Sequence, residues 1–260
     1  MSRILALLLA ALLVPICVWG ASGESISLSD VVSALETPFK GTDPAAAIYD
    51  FEADFFQESR IASLDRAQRG RGSVWFKFNR AAGREGGNPM FRWEYRQPTM
   101  QEIICDGETL WVYLPENNQV IQSDISSVTG QAAENPVTFL TGLGNLSRDF
   151  SIRWASPNRD AEGNFVLELQ PRRVSQLVST MRMVVDEDAV SDQRNLSGAS
   201  GVRHEQLFPI LSTTVHDPNG NSTVIEFSGI RVNRGLSDSF FNFILPAGVE
   251  VVRPEEMPKF

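Results

Sequence analysis

The chain has 260 residues, is 42% hydrophobic and carries a formal net charge of −9, with a pI near 4.8. That is enough apolar material for one large β domain or two small domains. The acidity excludes nucleic acid as a partner, since phosphate binding needs a basic face, and makes an anionic membrane surface repulsive.

Residues 1–23 read as a signal peptide, not as part of the fold. Arg3 forms a short basic start and Ile4 to Val18 an apolar run. Val18-Trp19-Gly20 or Ala21-Ser22-Gly23 supplies a cleavage tripeptide, so cleavage is expected near 20–23. Pro15 and the shortness of the run argue against a membrane anchor. Cys17 follows Pro15 and Ile16 inside the apolar run, a poor position for lipid acylation. Cys105 is then the only cysteine of the mature chain, so no internal disulfide is expected. Beside Ile103 and Ile104 it reads as a small buried hydrophobe.

Along the rest, "SLSDVVSALETPFK" predicts a helix capped by Ser27 or Ser29, with Val31, Val32 and Leu35 on one face and Pro38 as its stop. "AIYDFEADFFQES" alternates as a half-buried strand, with Tyr49, Phe51, Ala53 and Phe55 on one side. "GSVWFKF" repeats the pattern with Val74, Phe76 and Phe78. Residues 79–89 form a glycine-rich loop. "MFRWEY" places Phe91, Trp93 and Tyr95 together. Asp106-Gly107 and "PENN" are turns flanking "ETLWVYL". Trp111 and Tyr113 share one parity of that strand and Leu110, Val112 and Leu114 the other. The two sets are equally apolar, and the inward side is assigned to Trp111 and Tyr113. "NPVTFLTGL" opens a short apolar helix at Asn135 and Pro136, carrying Val137, Phe139, Leu140 and Leu143. "FSIRWA", "NFVLELQP", "STMRMVV", "ILSTTVHD", "STVIEFSGIRV" and "FFNFILP" follow as strands. Asp186-Glu187-Asp188 reads as a solvated turn and "SDQRNLSGASG" as a loop.

The pattern is a mainly β (α+β) chain: a long antiparallel meander with two helical segments. A sheet of this length curls, and helices cover the hollow. The crowded rings either fill an ordinary core or line a pocket for an apolar ligand.

No catalytic constellation is evident. His204 and His216 stand apart, no G-x-S-x-G occurs, and there is neither a phosphate loop nor a metal-ligand spacing. No cofactor is expected.

The block "RWEYRQPTMQEIICDGETLWVYLPENNQV" resembles the LolA family of periplasmic carriers of outer-membrane lipoproteins. The resemblance rests on Phe91 to Tyr95, Pro98, Asp106, Gly107, Leu110, Trp111, Tyr113 and Pro115. "FEADFFQES", "GSVWFKF", "NPVTFLTG" and "FNFILPAGVEVV" resemble other family segments in the same order, from about Leu28 to Val252. The resemblance implies a curved, half-open antiparallel barrel covered by helices, with no enzymatic activity. Its cavity would take the acyl chains of lipoproteins. Val74, Phe76, Phe78, Phe91, Trp93, Tyr95, Trp111, Tyr113, Phe139, Leu140, Leu143, Met181 and Met183 are the candidate cavity residues. The implied partners are acylated lipoproteins, an inner-membrane lipoprotein-releasing ABC transporter and an outer-membrane receptor. The implied location is the periplasm, and the expected state a monomer. Residues 24–260 would form one carrier domain with insertions near 79–89 and 192–206. The family's arginine, which latches its helical lid, has no clear counterpart; Arg80, Arg84 or neither could serve. A receptor-type relative, a lipid-sensing regulatory domain, a hydrolase using Cys105, His204 or His216, and an outer-membrane barrel are the rival readings.

Overall fold

The structure is a computed structural model that describes residues 25–40, 44, 46–78, 88, 90–125, 139–196 and 208–253. The leader, most of the 79–89 stretch with Arg80 and Arg84, the helix start at Asn135 to Val137, and His204 lie outside the described residues.

Twelve strands form one unclosed sheet in the order β12-β6-β5-β4-β3-β2-β1-β11-β10-β9-β8-β7. The first meander comprises β1 (Asp50–Ile61), β2 (Arg66–Lys77), β3 (Met90–Gln97), β4 (Gln101–Cys105), β5 (Thr109–Leu114) and β6 (Gln119–Asp124). The second comprises β7 (Phe150–Arg159), β8 (Phe165–Pro171), β9 (Thr180–Val185), β10 (Ile210–His216) and β11 (Ser222–Val232). The two join where β1 pairs with β11. Among the described strands only β12 (Glu250–Val252) pairs in parallel, with β6.

Period-2 alternation decides which face is which. On β1, Phe51, Ala53 and Phe55 are buried while Asp54 is exposed. Gly72 lies at a register shift against β3, where a Cβ would come within 1.8 Å of the Glu94 carbonyl oxygen. Only glycine allows that approach, and the irregularity bends the strand.

Helix α1 (Leu28–Lys40) covers the inner face with Val31, Ala34, Leu35 and Phe39. Ser27 caps it reciprocally: the Asp30 amide donates to Ser27 Oγ at 3.3 Å, and the Ser27 amide donates to the Asp30 carboxylate at 2.8 Å. The helix runs two residues beyond Pro38, which lies in its last turn. The proline forfeits the bond to the Ala34 carbonyl, and the burial of Phe39 together with the Ile48 amide donating to the Pro38 carbonyl at 2.9 Å offsets that loss. The mid-chain cover is a 3-10 turn (Phe139–Asn145) running into α2 (Leu146–Asp149). A third helix, α3 (Glu187–Leu196), replaces the expected acidic turn and the start of the expected loop. Its cap is Asp186, whose carboxylate accepts from the Asp188 and Ala189 amides at 2.8 and 3.2 Å.

"FFNFILP" is not a strand. After β11 the chain forms a 3-10 turn (Asp238–Phe241) and then crosses the outer face of the sheet to β12. Phe241 is fully buried there and Phe240 packs edge-on against Trp75. The crossing is anchored by the buried Asp50, whose carboxylate accepts from the amides of Arg234, Gly235 and Leu236 at 2.6, 2.9 and 3.1 Å. Asp50→Asn is expected to cost about 2–3 kcal/mol, because charge-assisted bonds to buried amides weaken together. A urea midpoint shifted by less than half of that would show that the anchor is not carried by the charge.

Candidate functional site

The inner face gathers most of the candidate residues. Val74, Phe76, Phe91, Trp93, Leu140, Leu143, Met181 and Met183 are each 0% exposed and belong to one apolar cluster with α1. Phe78 and Tyr95 are partly buried against it. Phe76 stacks between Phe51 and Phe91 at centroid distances of 5.3 and 5.2 Å, and Phe39 of α1 meets Phe78 edge-on at 5.1 Å. The backbone of Phe139 opens the 3-10 turn, but its side chain lies outside the described residues.

Trp111 and Tyr113 do not join this cluster. Directly paired antiparallel residues share a face. Trp111 pairs with Ile104, Ile104 with Arg92, and Arg92 with Trp75, so the whole row lies on the outer face. Leu110 and Val112 take the inward positions, opposite Cys105 and Ile103. Trp111 and Tyr113 instead pack against Phe243 of the C-terminal crossing, each at 5.9 Å between centroids. The inward assignment therefore fails for these two rings. The crossing segment gives the outer face an apolar layer of its own, which alternation within β5 does not reveal.

The inner face grades from apolar to polar along the strands. Phe51 and Ala53 lie under α1, whereas Gln57 and Ser59 stand on the same face towards the β1–β2 turn. There Tyr95 donates to Gln57 Oε1 at 2.8 Å, Gln57 Nε2 donates to Ser59 Oγ at 3.0 Å, and Ser59 and Thr223 share a bond of 3.1 Å. Burial pushes the Tyr95 hydroxyl up to about 12, so it stays a donor. A cleft of about 480 Å³ lies on the opposite, outer face, lined by Asp54, Phe56, Arg71, Arg96 and Glu226 among others. Its charged lining does not suit an acyl chain.

The cover is tied down by Glu36 of α1, a carboxylate only 5% exposed. It accepts from the Ser147 amide at 2.6 Å, the Ser147 hydroxyl at 2.7 Å and Lys40 Nζ at 2.6 Å. The bonds to Ser147 join α1 to α2. Burial alone would raise the Glu36 pKa, but the bonds from Lys40 and Ser147 outweigh it and hold the group below its ordinary 4.5. No group of three or more metal-ligating side chains occurs among the described residues. Cys105 is buried, and burial pushes its thiol up to about 11, a poor state for a nucleophile.

The family described as "Outer membrane lipoprotein carrier protein LolA" matches residues 47–205. An outer-membrane lipoprotein carrier protein of Chromobacterium violaceum is 30% identical over 220 residues, covering 80% of this chain and 94% of the relative. One from Methylobacillus flagellatus is 31% identical over 162 residues, covering 62% and 66%. A solved LolA superfamily protein of Nitrosomonas europaea aligns with a TM-score of 0.40 and 15% identity, over 84% of this chain and 99% of that one.

A lowered pKa means that Glu36 stabilises the closed cover above pH 4.5, and that this contribution is lost as pH falls through its folded-state pKa. Glu36→Gln should raise amide exchange in residues 140–149 roughly tenfold at pH 7, equivalent to about 1.5 kcal/mol. The β1–β3 strands should be unaffected. Acidification below pH 4.5 should loosen the wild-type segment towards the variant's rate. Identical exchange in the two proteins at pH 7 would remove Glu36 as the tie.

Proposed function

Because the chain belongs to the LolA family of outer-membrane lipoprotein carriers, we propose that it sequesters the acyl chains of lipoproteins against the inner face of its sheet, beneath a displaceable helical cover. The family is a non-enzymatic chaperone family and its carriers are periplasmic. The finer route is part of the proposal. Cargo is received from an inner-membrane ABC transporter and passed to an outer-membrane receptor, with residues 1–23 directing the chain to the periplasm and residues 24–260 acting as a single carrier domain.

The observation that carries this reading is the cluster joining α1, the mid-chain cover and both meanders. It is a core in the closed state and becomes a binding surface once the cover lifts. Val74, Phe76, Phe78, Phe91, Trp93, Tyr95, Met181 and Met183 form the sheet side, with Leu140 and Leu143 on the cover. Magnitudes favour exchange. Burying Val31, Leu35 and Phe39 of α1 contributes about 5–8 kcal/mol. An acyl chain of roughly fifteen methylenes contributes about 12 kcal/mol relative to water, at about 0.8 kcal/mol each. A chain that takes the place of α1 alone more than offsets the burial that this helix gives up. The α1 side chains remain available to close again on release.

A covalent lock tests the need for movement. A Cβ placed on Gly144 lies 3.7 Å from the Cβ of Phe39, within disulfide range. Phe39→Cys with Gly144→Cys should, when oxidised, fail to release lipoprotein from spheroplasts that supply the transporter, and should recover on reduction. The buried Cys105 should not interfere. Equal release by the oxidised and reduced forms would show that the cover need not move. Absence of release by the wild type would overturn the carrier route itself.

A further inference from the structure

Among the described residues, two polar atoms stand without hydrogen-bond partners inside the apolar cluster: Trp93 Nε1 and Thr213 Oγ1. Trp93 is 0% exposed and Thr213 1%. Both side chains belong to the inner face. Trp93 lies between Phe91 and Tyr95 on β3, against Phe55 at 4.9 Å and Phe227 at 6.4 Å. Thr213 on β10 pairs with Met183 on one side and Ile225 on the other. Leaving a buried polar group unpaired is costly, so native interiors rarely retain such groups without a use. An indole N–H is only a donor, and a threonine hydroxyl can donate. An ester carbonyl is only an acceptor. A third unpartnered atom, Gln193 Oε1, is itself an acceptor and does not fit the same need.

Position agrees with chemistry. Ile225, the rung neighbour of Thr213, pairs in turn with Gln57 of the polar seam. Trp93 is two residues from Tyr95, which donates into that seam. Trp93, on the rung of Val74 and Ala53, therefore stands between the aromatic stack under α1 and the polar end, and Thr213 stands on the rung of Gln57 where that polar end begins. An acylated glyceryl group has the same order: hydrocarbon tails, then ester carbonyls, then a polar head.

We infer that Trp93 Nε1 and Thr213 Oγ1 are hydrogen-bond donors to the ester carbonyl oxygens of acylated cargo, so that the site recognises an acyl ester and not hydrocarbon alone. The inference rests on the carrier reading and adds orientation to it. The tails lie against Phe51, Phe76 and Phe91, and the glyceryl head lies towards Gln57, Ser59 and Thr223. Hydrophobic burial supplies most of the affinity, while the donors fix the depth to which the chains enter.

The test compares a synthetic peptide bearing a diacylglyceryl cysteine with its dialkyl ether counterpart, which has the same tails and no ester carbonyls. Wild-type protein should bind the ester form about tenfold more tightly, the scale of one or two net hydrogen bonds. Its ester carbonyl stretching band should move to lower frequency on binding. Thr213→Val should reduce the preference while ether binding is retained, and adding Trp93→Phe should bring the ester-to-ether affinity ratio to about one whatever its effect on overall affinity. Thr213→Val preserves side-chain shape and removes an unpaired hydroxyl, so its melting temperature should not fall. That variant carries the test alone if Trp93→Phe folds poorly. Equal wild-type affinity for ester and ether would overturn the inference and leave the carrier reading standing. A preference that survives in Thr213→Val and the double variant would overturn the assignment to these donors. Failure to bind either peptide would overturn the inference together with the acyl-binding reading beneath it.

Discussion

The constraint on which the molecule depends is geometric. Twelve strands form an unclosed sheet whose inner face carries Phe51, Phe76, Phe91 and Trp93, and that face must be kept from water. A closed barrel would bury it permanently. Here the shielding comes from α1 and the mid-chain turn, short elements lying over the sheet. Short helices have little stability of their own and hold position through tertiary contacts. The cover is therefore stable only while the sheet presents apolar surface to it, and on the proposed function an acyl chain would compete for that same surface. On that reading, closure and cargo binding would be two uses of one hydrophobic face.

The two faces of the sheet solve opposite problems. On the outside, the Asp50 carboxylate fixes the start of the C-terminal crossing through three backbone amides, and Phe240 and Phe243 pin it to Trp75 and Trp111. Arg92 bridges Glu94 and Glu102 beneath it at 2.6 and 2.7 Å. Such directional bonds hold the strands in register. On the inside the contacts are mostly apolar and non-directional, with one carboxylate, Glu36, linking α1 to α2. On the proposed function, a rigid outer face would let the binding surface persist when the cover leaves.

Much of this is legible in the sequence because alternation reports burial directly. Phe51, Ala53 and Phe55 on β1, Phe91 and Trp93 on β3, and Met181 and Met183 on β9 can be assigned to one face, since the opposite parity holds charges. The failures share a cause. Trp111 and Tyr113 alternate with Leu110, Val112 and Leu114, apolar residues on both sides, so parity holds no information. The deciding fact is the distant Phe243. The acidic run at Asp186 to Asp188 reads as a turn by its charge, although an aspartate followed by acidic residues also marks a helix start. "FFNFILP" alternates like a strand, but its rings cover a sheet from outside. The Glu36–Ser147 tie joins residues 111 apart in sequence, and no local pattern announces such a pair.

The position of that tie also bears on how the cover would move. Glu36 lies in the same helix as Leu35 and Phe39, so freeing its carboxylate and exposing the apolar face of α1 are parts of one displacement. Ser147 belongs to the segment that carries Leu140 and Leu143, and the Phe39 carbonyl lies 3.4 Å from where a Gly144 Cβ would be. At Gly144 the absent side chain lets the turn lie against the helix backbone, and at Gly142 a Cβ would meet nothing within 4 Å. The mid-chain segment is thus closely fitted to α1 at one glycine and unobstructed at the other. α1 and the segment share both an ion-assisted tie and a backbone approach. α1 meets the sheet through apolar side chains, whereas α2 runs directly into β7 and its Ser147 and Asp149 carbonyls accept from Arg172 at 3.2 and 2.9 Å. Apolar contacts can be replaced by hydrocarbon of another shape, but directional ones cannot. Opening between α1 and the segment would therefore have to break the Glu36–Ser147 tie, whereas the apolar contacts of α1 with the sheet can pass to hydrocarbon.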